Sequence, residues 1–278
     1  MKKIIFVTVR GTLILLIVAL LASGCMIYNV RDNIKRQRFG VAKGVMFHHW
    51  AVERKLEHEV ELLVRSFDKT IFTKPQNAYI DPATGGKVEE VYGKKVNISQ
   101  TVNQIMNAEP YTTVLPVTVI LDPEVSIDVY RNIQTCVSGF HTWYGGGGGR
   151  GKNIMLAAQS LNNYLVAPGE IFSFNRATGP RTPERGYKLA PIIVGGTVIP
   201  GYGGGVCQVS TTLYNAVKSA ELEIVERYPH SRPVDYVPKG RDATVSDFLD
   251  FKFRNNTDRY ILLKSSAYGY GLSIEIWH

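Results

Sequence analysis

The 278-residue sequence has few cysteines, no internal repeat and no low-complexity tract apart from one run of glycines. Three cysteines are too few for the disulfide framework that stabilises small extracellular domains. No ordered alternation of basic and aromatic residues accompanies the net charge of +8, so the composition does not predict nucleic-acid binding. The positive charge would instead attract anionic polymers and lipid headgroups. The apolar fraction of 45% is that of a globular protein, and the length allows two domains of ordinary size.

A zinc-protease motif is incomplete in the first half of the chain. His58-Glu59 is not followed by a second histidine, because Leu62 stands at that position. We therefore interpret His48, His49 and His58 as solvated side chains. The pattern predicts no metal site in this region.

A phosphate-binding loop is also incomplete. The glycine-rich stretch 145–151 places Gly146, Gly151 and Lys152 at the right offsets, but Asn153 replaces the required serine or threonine. No apolar strand leads into the loop. We interpret it as a flexible connection, and the sequence predicts neither a metal ion nor an organic cofactor.

The amino-terminal segment predicts a membrane anchor. An uncharged apolar run at 11–28, about long enough to cross a bilayer, follows the basic residues Lys2, Lys3 and Arg10. We interpret 1–30 as a single-pass signal anchor in a bacterial cell membrane and 31–46 as a basic juxtamembrane tether. A lipoprotein modified at Cys25, or a cleaved signal peptide, are alternatives. Each of the three would place the folded part outside the cytoplasm.

Residues 47–125 predict a small α+β module. Apolar spacing predicts an amphipathic helix through Val52, Leu56, Val60, Leu63, Val64 and Phe67. A hairpin about the turn at 81–86, a short helix at 99–107 and an extended segment at 114–121 follow. A domain boundary is expected between Pro123 and Cys136.

A glycine run leads into the most distinctive stretch of the chain. After Gly203-Gly204-Gly205, the spacing of apolar residues predicts a helix with one buried face at Val206, Val209, Leu213, Ala216, Val217 and Ala220. Cys207 lies off that face, so its thiol would face a cleft from the first helical turn. A helix N-terminus favours a thiolate and offers free N–H groups to an oxyanion.

Downstream residues complete a possible catalytic set. His230 and then Asp242 follow Cys207, which suits a nucleophile, a base and a group that orients the base. Asp235 is a weaker candidate for the orienting role. Cys207 is alternatively a buried core residue or a disulfide partner of Cys136.

Several stretches in the second half of the chain together resemble the VanW domain: Pro168–Asn175, Gly186-Tyr187, Gly203–Thr211, His230-Ser231 and Asp242–Val245. Some members of that family are taken to be cysteine L,D-transpeptidases that act on peptidoglycan. The resemblance implies that Cys207 is the nucleophile and His230 its base, whereas the orienting role of Asp242 is our inference. The module at 47–125 weakly resembles a peptidoglycan-binding module, and a simple spacer is an equal alternative.

The predicted VanW-like domain, 131–278, is α+β, with antiparallel strands expected at 248–253, 260–264 and 272–277. Its candidate substrate-binding residues surround the cysteine stretch in the sequence: Gly204, Gly205, Gln208, Tyr214, Ser231, Arg232, Arg176 and Arg181. Gln208 could donate to an oxyanion. The arginines could bind carboxylates of a stem peptide, or they could be solvated loop residues.

These features predict an extracytoplasmic thiol acyltransferase whose partners are peptidoglycan stem peptides and, through the amino-terminal segment, the membrane. Attack of Cys207 on a stem peptide would give a thioester, which an amine would convert into a cross-link and water into a trimmed peptide. Alternatives are a non-catalytic wall-binding or envelope-assembly protein, and an accessory to glycopeptide resistance.

Overall fold

The computed structural model describes residues 26–145 and 147–278. Its helices are α1 (26–39), α2 (Glu57–Ile71), α3 (Ile98–Met106), α4 (Ile127–Asn132), α5 (Gly148–Leu161), α6 (Phe174–Thr178) and α7 (Val206–Ser219). Its strands are β1 (Met46–Phe47), β2 (Trp50–Ala51), β3 (Tyr79–Ile80), β4 (Lys87–Val88), β5 (Gly93–Val96), β6 (Thr113–Val114), β7 (Thr118–Leu121), β8 (Cys136–Trp143), β9 (Tyr164–Val166), β10 (Ile171–Ser173), β11 (Leu189–Val194), β12 (Thr197–Tyr202), β13 (Glu223–Glu226), β14 (Lys252–Arg254), β15 (Ile261–Tyr268) and β16 (Gly271–Trp277).

The chain divides into two units. The first contains 26–77 and Glu90–Glu124, and the second contains Ala78–Glu89 and Val125–His278. The hairpin predicted about 81–86 forms as β3 and β4, but it groups with the second unit, where Ala78 is buried beside Ile127.

Most of the predicted signal anchor, residues 1–25, lies outside the described residues. From residue 26 onward, Gly146 apart, no helix is both long and apolar enough to cross a membrane.

The first unit is built on α2 and α3, which pack on short strands. Val60 and Val64 of α2 are buried, as the apolar spacing predicts, and the helix begins at Glu57, after the buried Val52. The segment 31–46, predicted to be a tether, is helical as far as residue 39. Beyond it, Val41 and Val45 belong to the core of this unit, so the expected tether includes core residues.

The second unit is organised by a four-stranded antiparallel sheet in the order β8-β16-β15-β9. In β16, Leu272, Ile274 and Ile276 are fully buried while the residues between them are half-buried, which is the alternation of a strand with one core face. Helices α5 and α7 contact this sheet and each other. The predicted carboxy-terminal strands are thus confirmed for β15 and β16.

Two smaller sheets complete the second unit. Strands β10, β14 and β13 form an antiparallel sheet whose Phe172 and Phe253 rings stack at 4.9 Å. Strands β11 and β12 form a two-stranded hairpin that ends at the start of α7. The second unit is α+β with antiparallel sheets, as predicted. The chain's one parallel strand pair in the described residues joins β1 and β6 of the first unit.

Candidate active site

Cys207 lies in the first turn of α7 and is half-buried. The turn before it requires glycine, because Gly203 and Gly205 have φ angles of +82° and +104°. A Cβ at Gly204 would lie 2.5 Å from the Pro191 carbonyl oxygen of β11. The three glycines therefore allow the hairpin and the helix to approach closely, and they fix the position of the thiol.

The thiol contacts the segment that follows α7 and β13. Its Sγ donates to the Val245 carbonyl oxygen at 3.3 Å and accepts from the Val245 N–H at 3.5 Å. Cys207 is not in a disulfide, and neither is Cys136, which is exposed. The sequence alternative of a Cys136–Cys207 disulfide is therefore absent from this structure.

His230 and Asp242 are brought together beside Cys207. His230 Nδ1 lies 2.7 Å from Asp242 Oδ2, and the two side chains are only 6% and 10% exposed. The Cys207 thiol lies close enough to the His230 ring to raise its pKa. Because Asp242 occupies Nδ1, Nε2 is the ring nitrogen available to the thiol. Cys207, His230 and Asp242 are thus arranged as a nucleophile, a base and a carboxylate that orients the base.

Charge stabilises this arrangement. Burial disfavours the imidazolium, but hydrogen bonds and attraction from Cys207 and Asp242 outweigh it and raise the pKa of His230 above its usual value. Burial likewise opposes ionisation of Asp242, and the His230 backbone N–H and ring lower the pKa of that carboxyl overall. His230 therefore keeps its proton to higher pH than a free histidine, while Asp242 stays ionised.

Arg227 holds the far side of Asp242. Its Nη2 lies 3.2 Å from Asp242 Oδ1, and its Nε donates to the Asp242 carbonyl oxygen at 2.7 Å. The guanidinium also lies over the Tyr214 ring, 5.2 Å from its centre. Tyr214 is 7% exposed and packs on Phe251, so it supports Arg227 from the core and does not line the cysteine site.

One backbone N–H is available to an oxyanion. In the first turn of α7, the N–H of Val206 donates to Gly203 and that of Gln208 to Gly205. Across the described stretches of the chain, the Cys207 N–H has no hydrogen-bond acceptor. A free N–H on the nucleophile's own residue, at a helix N-terminus, suits stabilisation of a tetrahedral intermediate.

Gln208 does not fit the oxyanion role that the sequence suggested. Its side chain is buried, its Nε2 donates to Thr142 Oγ1 and to the Trp143 carbonyl oxygen, both at 3.0 Å, and its Oε1 accepts from Arg150 at 2.6 Å. Both amide hydrogens are used, so Gln208 joins α7 to β8 and α5 and positions the helix.

The remaining predicted residues are more dispersed. Ser231 and Arg232 are exposed, and Arg232 donates to the Gly196 carbonyl oxygen at the hairpin tip, at 3.2 Å. Arg176 is 57% exposed and paired with Glu170 at 3.0 Å. Ser231 and Arg176 thus make no described contact with the Cys207 set.

Arg181 is placed differently from Arg176. Its side chain is 10% exposed, and its Cβ and Cγ fill the space where Gly203 lacks a side chain. Arg181 therefore lies against the turn that presents Cys207.

Sequence reasoning missed Tyr236. Burial and the nearby Cys207 strongly raise the pKa of its phenol, whereas Thr211, one helical turn after Cys207, lowers it. Tyr236 lies in an irregular segment without helical or strand periodicity, so no pattern in the sequence indicated that it belongs to the site.

Comparison with known proteins identifies the second unit. Residues 149–277 match the family model described as VanW like protein. The chain carries a VanW-family domain. The resemblance drawn from the cysteine, histidine and aspartate stretches is thereby confirmed.

Two curated relatives match this chain. The uncharacterized protein YoaR of Bacillus subtilis (strain 168) is 46% identical over 158 residues, which are 56% of this chain and 52% of YoaR. Vancomycin B-type resistance protein VanW of Enterococcus faecalis (strain ATCC 700802 / V583) is 37% identical over 112 residues, which are 38% of this chain and 41% of that protein. The matches thus span about half the length of these relatives or less. No solved structure matches the chain.

Proposed function

We propose that the VanW-family domain is a thiol acyltransferase that acts on peptidoglycan stem peptides, of the L,D-transpeptidase type. The observation that carries this proposal is the buried His230–Asp242 hydrogen bond beside Cys207, whose thiol raises the pKa of His230. A cysteine at a helix start, with a carboxylate-held histidine against its sulfur, suits nucleophilic attack on an amide.

The first chemical step forms a thioester. The Cys207 thiolate attacks the carbonyl carbon of the donor amide, and the C–S bond forms as the carbonyl oxygen gains negative charge. The Cys207 N–H would stabilise that oxyanion, a contribution of roughly 3 kcal/mol for a well-placed donor. His230 then gives its proton to the departing amine as the C–N bond breaks, so a free amino acid leaves.

The second step transfers the acyl group. An amine from a neighbouring stem, deprotonated by His230, attacks the thioester, and the thiolate departs. The product is a cross-link when the acceptor is an amine and a trimmed peptide when it is water. Because His230 is held by Asp242 on Nδ1, Nε2 serves as acid in the first step and as base in the second.

Three observations support a cell-wall substrate. The domain belongs to the VanW family, and one relative is named for vancomycin resistance. The chain's net charge of +8 favours anionic surroundings. The apolar run at 11–28 supports an extracytoplasmic location at the bacterial cell membrane, as an anchor or a lipoprotein.

Product analysis tests the proposal. The full chain is incubated with a disaccharide-tetrapeptide, and the muropeptides are separated by chromatography and identified by mass spectrometry. We expect cross-linked or trimmed muropeptides from the wild type and from Cys136→Ala, which lacks the exposed cysteine, and none from Cys207→Ala. Unchanged tetrapeptide with a folded, reduced wild type would favour a binding or assembly protein.

A further inference from the structure

Arg181 is a buried cation whose nearest carboxylate among the described residues lies 3.9 Å away. Its Nη2 donates to Asn175 Oδ1 at 2.5 Å, but its buried Nε has no hydrogen-bond partner in the described part of the chain. Its carboxylate contact is Asp247, 3.9 Å from Nη1, and that side chain is 84% exposed. A guanidinium removed from water is normally matched by a carboxylate within hydrogen-bond distance.

Tyr187 is a second buried donor, and its hydroxyl has no partner in the described stretches. Its ring is 2% exposed, and its hydroxyl has no hydrogen-bond partner within residues 26–145 and 147–278. Arg181 and Arg185 act on its hydroxyl electrostatically and favour a negative charge there, although burial raises the pKa of Tyr187 overall. Most buried polar groups in proteins are hydrogen-bonded, so two such donors without acceptors among the described residues are candidates for contact with a ligand.

Arg181 contacts the turn that leads to Cys207. Arg181 packs its stem on Gly203, in the turn that leads to Cys207. Its partner Asn175 donates to the carbonyl oxygens of Ser246 and Leu249 at 2.9 and 3.0 Å. Ser246 directly follows Val245, which hydrogen-bonds the Cys207 thiol. The Arg181 stem thus contacts the turn before Cys207, and its guanidinium is linked through Asn175 to the segment that follows Val245.

We propose that Arg181 and Tyr187 form a carboxylate-binding subsite beside Cys207, which holds a carboxylate of the acyl donor. The identity of the donor rests on the proposed function, whereas the subsite itself does not. A planar guanidinium and a phenol can donate together to the two oxygens of a carboxylate. A stem peptide supplies such a group at its C-terminus and within its length.

Charge-selective alkylation tests the subsite without any peptide. Iodoacetate and iodoacetamide attack the same sulfur, but only iodoacetate carries a carboxylate. The ratio of their rates at Cys207 is measured for the wild type, Arg181→Gln, Tyr187→Phe and the control Arg259→Gln, whose side chain is 68% exposed. We expect the ratio to fall roughly tenfold in Arg181→Gln and to be unchanged in the control.

Tyr187→Phe separates binding from long-range attraction, because it removes a hydrogen bond and no charge. A fall of roughly threefold in the ratio, with an unchanged iodoacetamide rate, supports the subsite. Equal ratios in all four proteins would overturn it. A slower iodoacetamide reaction in every subsite variant would mean that the residues only maintain the fold, and that too would overturn it.

Protection by peptide distinguishes the source of the carboxylate. Tetrapeptides with a free or an amidated C-terminus are tested for slowing the iodoacetamide reaction of Cys207. Loss of protection on amidation assigns the terminal carboxylate, and equal protection that Arg181→Gln weakens assigns an internal one. An Arg181-dependent alkylation ratio with no protection by either peptide would retain the subsite and reject the peptide substrate. Protection that Arg181→Gln leaves unchanged would reject the subsite while the peptide substrate stands.

Discussion

Replacement of Asp242 by asparagine tests whether a carboxylate sustains the charged form of His230. In the structure Asp242 Oδ2 accepts from both the backbone N–H and Nδ1 of His230, and the pair is almost fully buried. Attraction between unit charges about 4 Å apart is worth about 4 kcal/mol at a partly buried site. A neutral amide that keeps its hydrogen bond would retain about 1 kcal/mol of this.

Protonated His230 therefore loses about 3 kcal/mol of stabilisation. Where the reaction of Cys207 needs protonated His230 beside a thiolate, its rate should be roughly 100-fold lower. Because the pKa of His230 is raised in the wild type, this pair persists until pH rises through that raised value. In Asp242→Asn, the pair of thiolate and protonated His230 should disappear at a lower pH than in the wild type. The assay is the iodoacetamide rate of Cys207 from pH 5 to 9, read by intact mass.

Asp235→Asn is the matched control, because Asp235 is exposed and no hydrogen bond links it to His230 among the described residues. We expect its profile to equal that of the wild type. A wild-type profile for Asp242→Asn, in a protein with unchanged near-UV circular dichroism, would refute the orienting role of Asp242. A changed profile for Asp235→Asn alone would assign the role to that residue.

Two further predictions concern stability. Gly205→Ala should destabilise the fold by about 2 kcal/mol, because its φ is +104° and the new Cβ would lie 3.0 Å from side-chain carbons of Arg150 and Ile154. Urea denaturation measures this against Gly240→Ala, where φ is +84° and no atom lies within 4 Å; equal losses would contradict the packing argument. The raised pKa of His230 means that its stabilisation is complete below the unfolded-state pKa and declines as pH rises through the folded-state value. The unfolding free energies of wild type and His230→Gln should converge toward high pH, and a constant difference would count against this linkage.

The cysteine helix could be predicted because its signals are local. Three glycines lie directly before α7, at positions where a Cβ would clash or strain the backbone. Apolar residues at helical spacing follow them within the same short stretch. Strands β15 and β16 were predictable for the same reason, since β15 begins with a buried apolar run and burial alternates along β16. The pairing of Asp242 with His230 followed from the chemistry of the residue types and their order.

The rest of the site depends on contacts that are distant in sequence. The irregular segment after β13 is positioned by α7: Ala243 N–H donates to Thr211 Oγ1 at 2.9 Å, and Asn215 donates to the Arg241 carbonyl oxygen at 2.7 Å. No periodicity marks such a segment, so Tyr236 could not be assigned to the site.

The start of the first unit differs from what its composition predicts. The segment 31–46 is rich in basic residues, yet Arg36 forms a bidentate ion pair with Glu59 of α2. The Arg36 Nη1 and Nη2 atoms lie 2.6 and 2.9 Å from the two carboxylate oxygens. Basic residues near an apolar run suggest a membrane-flanking tether. Here Arg36 instead joins α1 to α2, and Val41 and Val45 are buried in the core of the first unit.

The most direct test of the central claim is the intact mass of the protein during incubation with a disaccharide-tetrapeptide. Our account predicts an acyl adduct on Cys207, equal in mass to the donor less its terminal amino acid. The adduct should be present in Cys136→Ala and absent from Cys207→Ala. An adduct that survives in Cys207→Ala, or none in a folded and reduced wild type that binds the peptide, would contradict a nucleophilic Cys207.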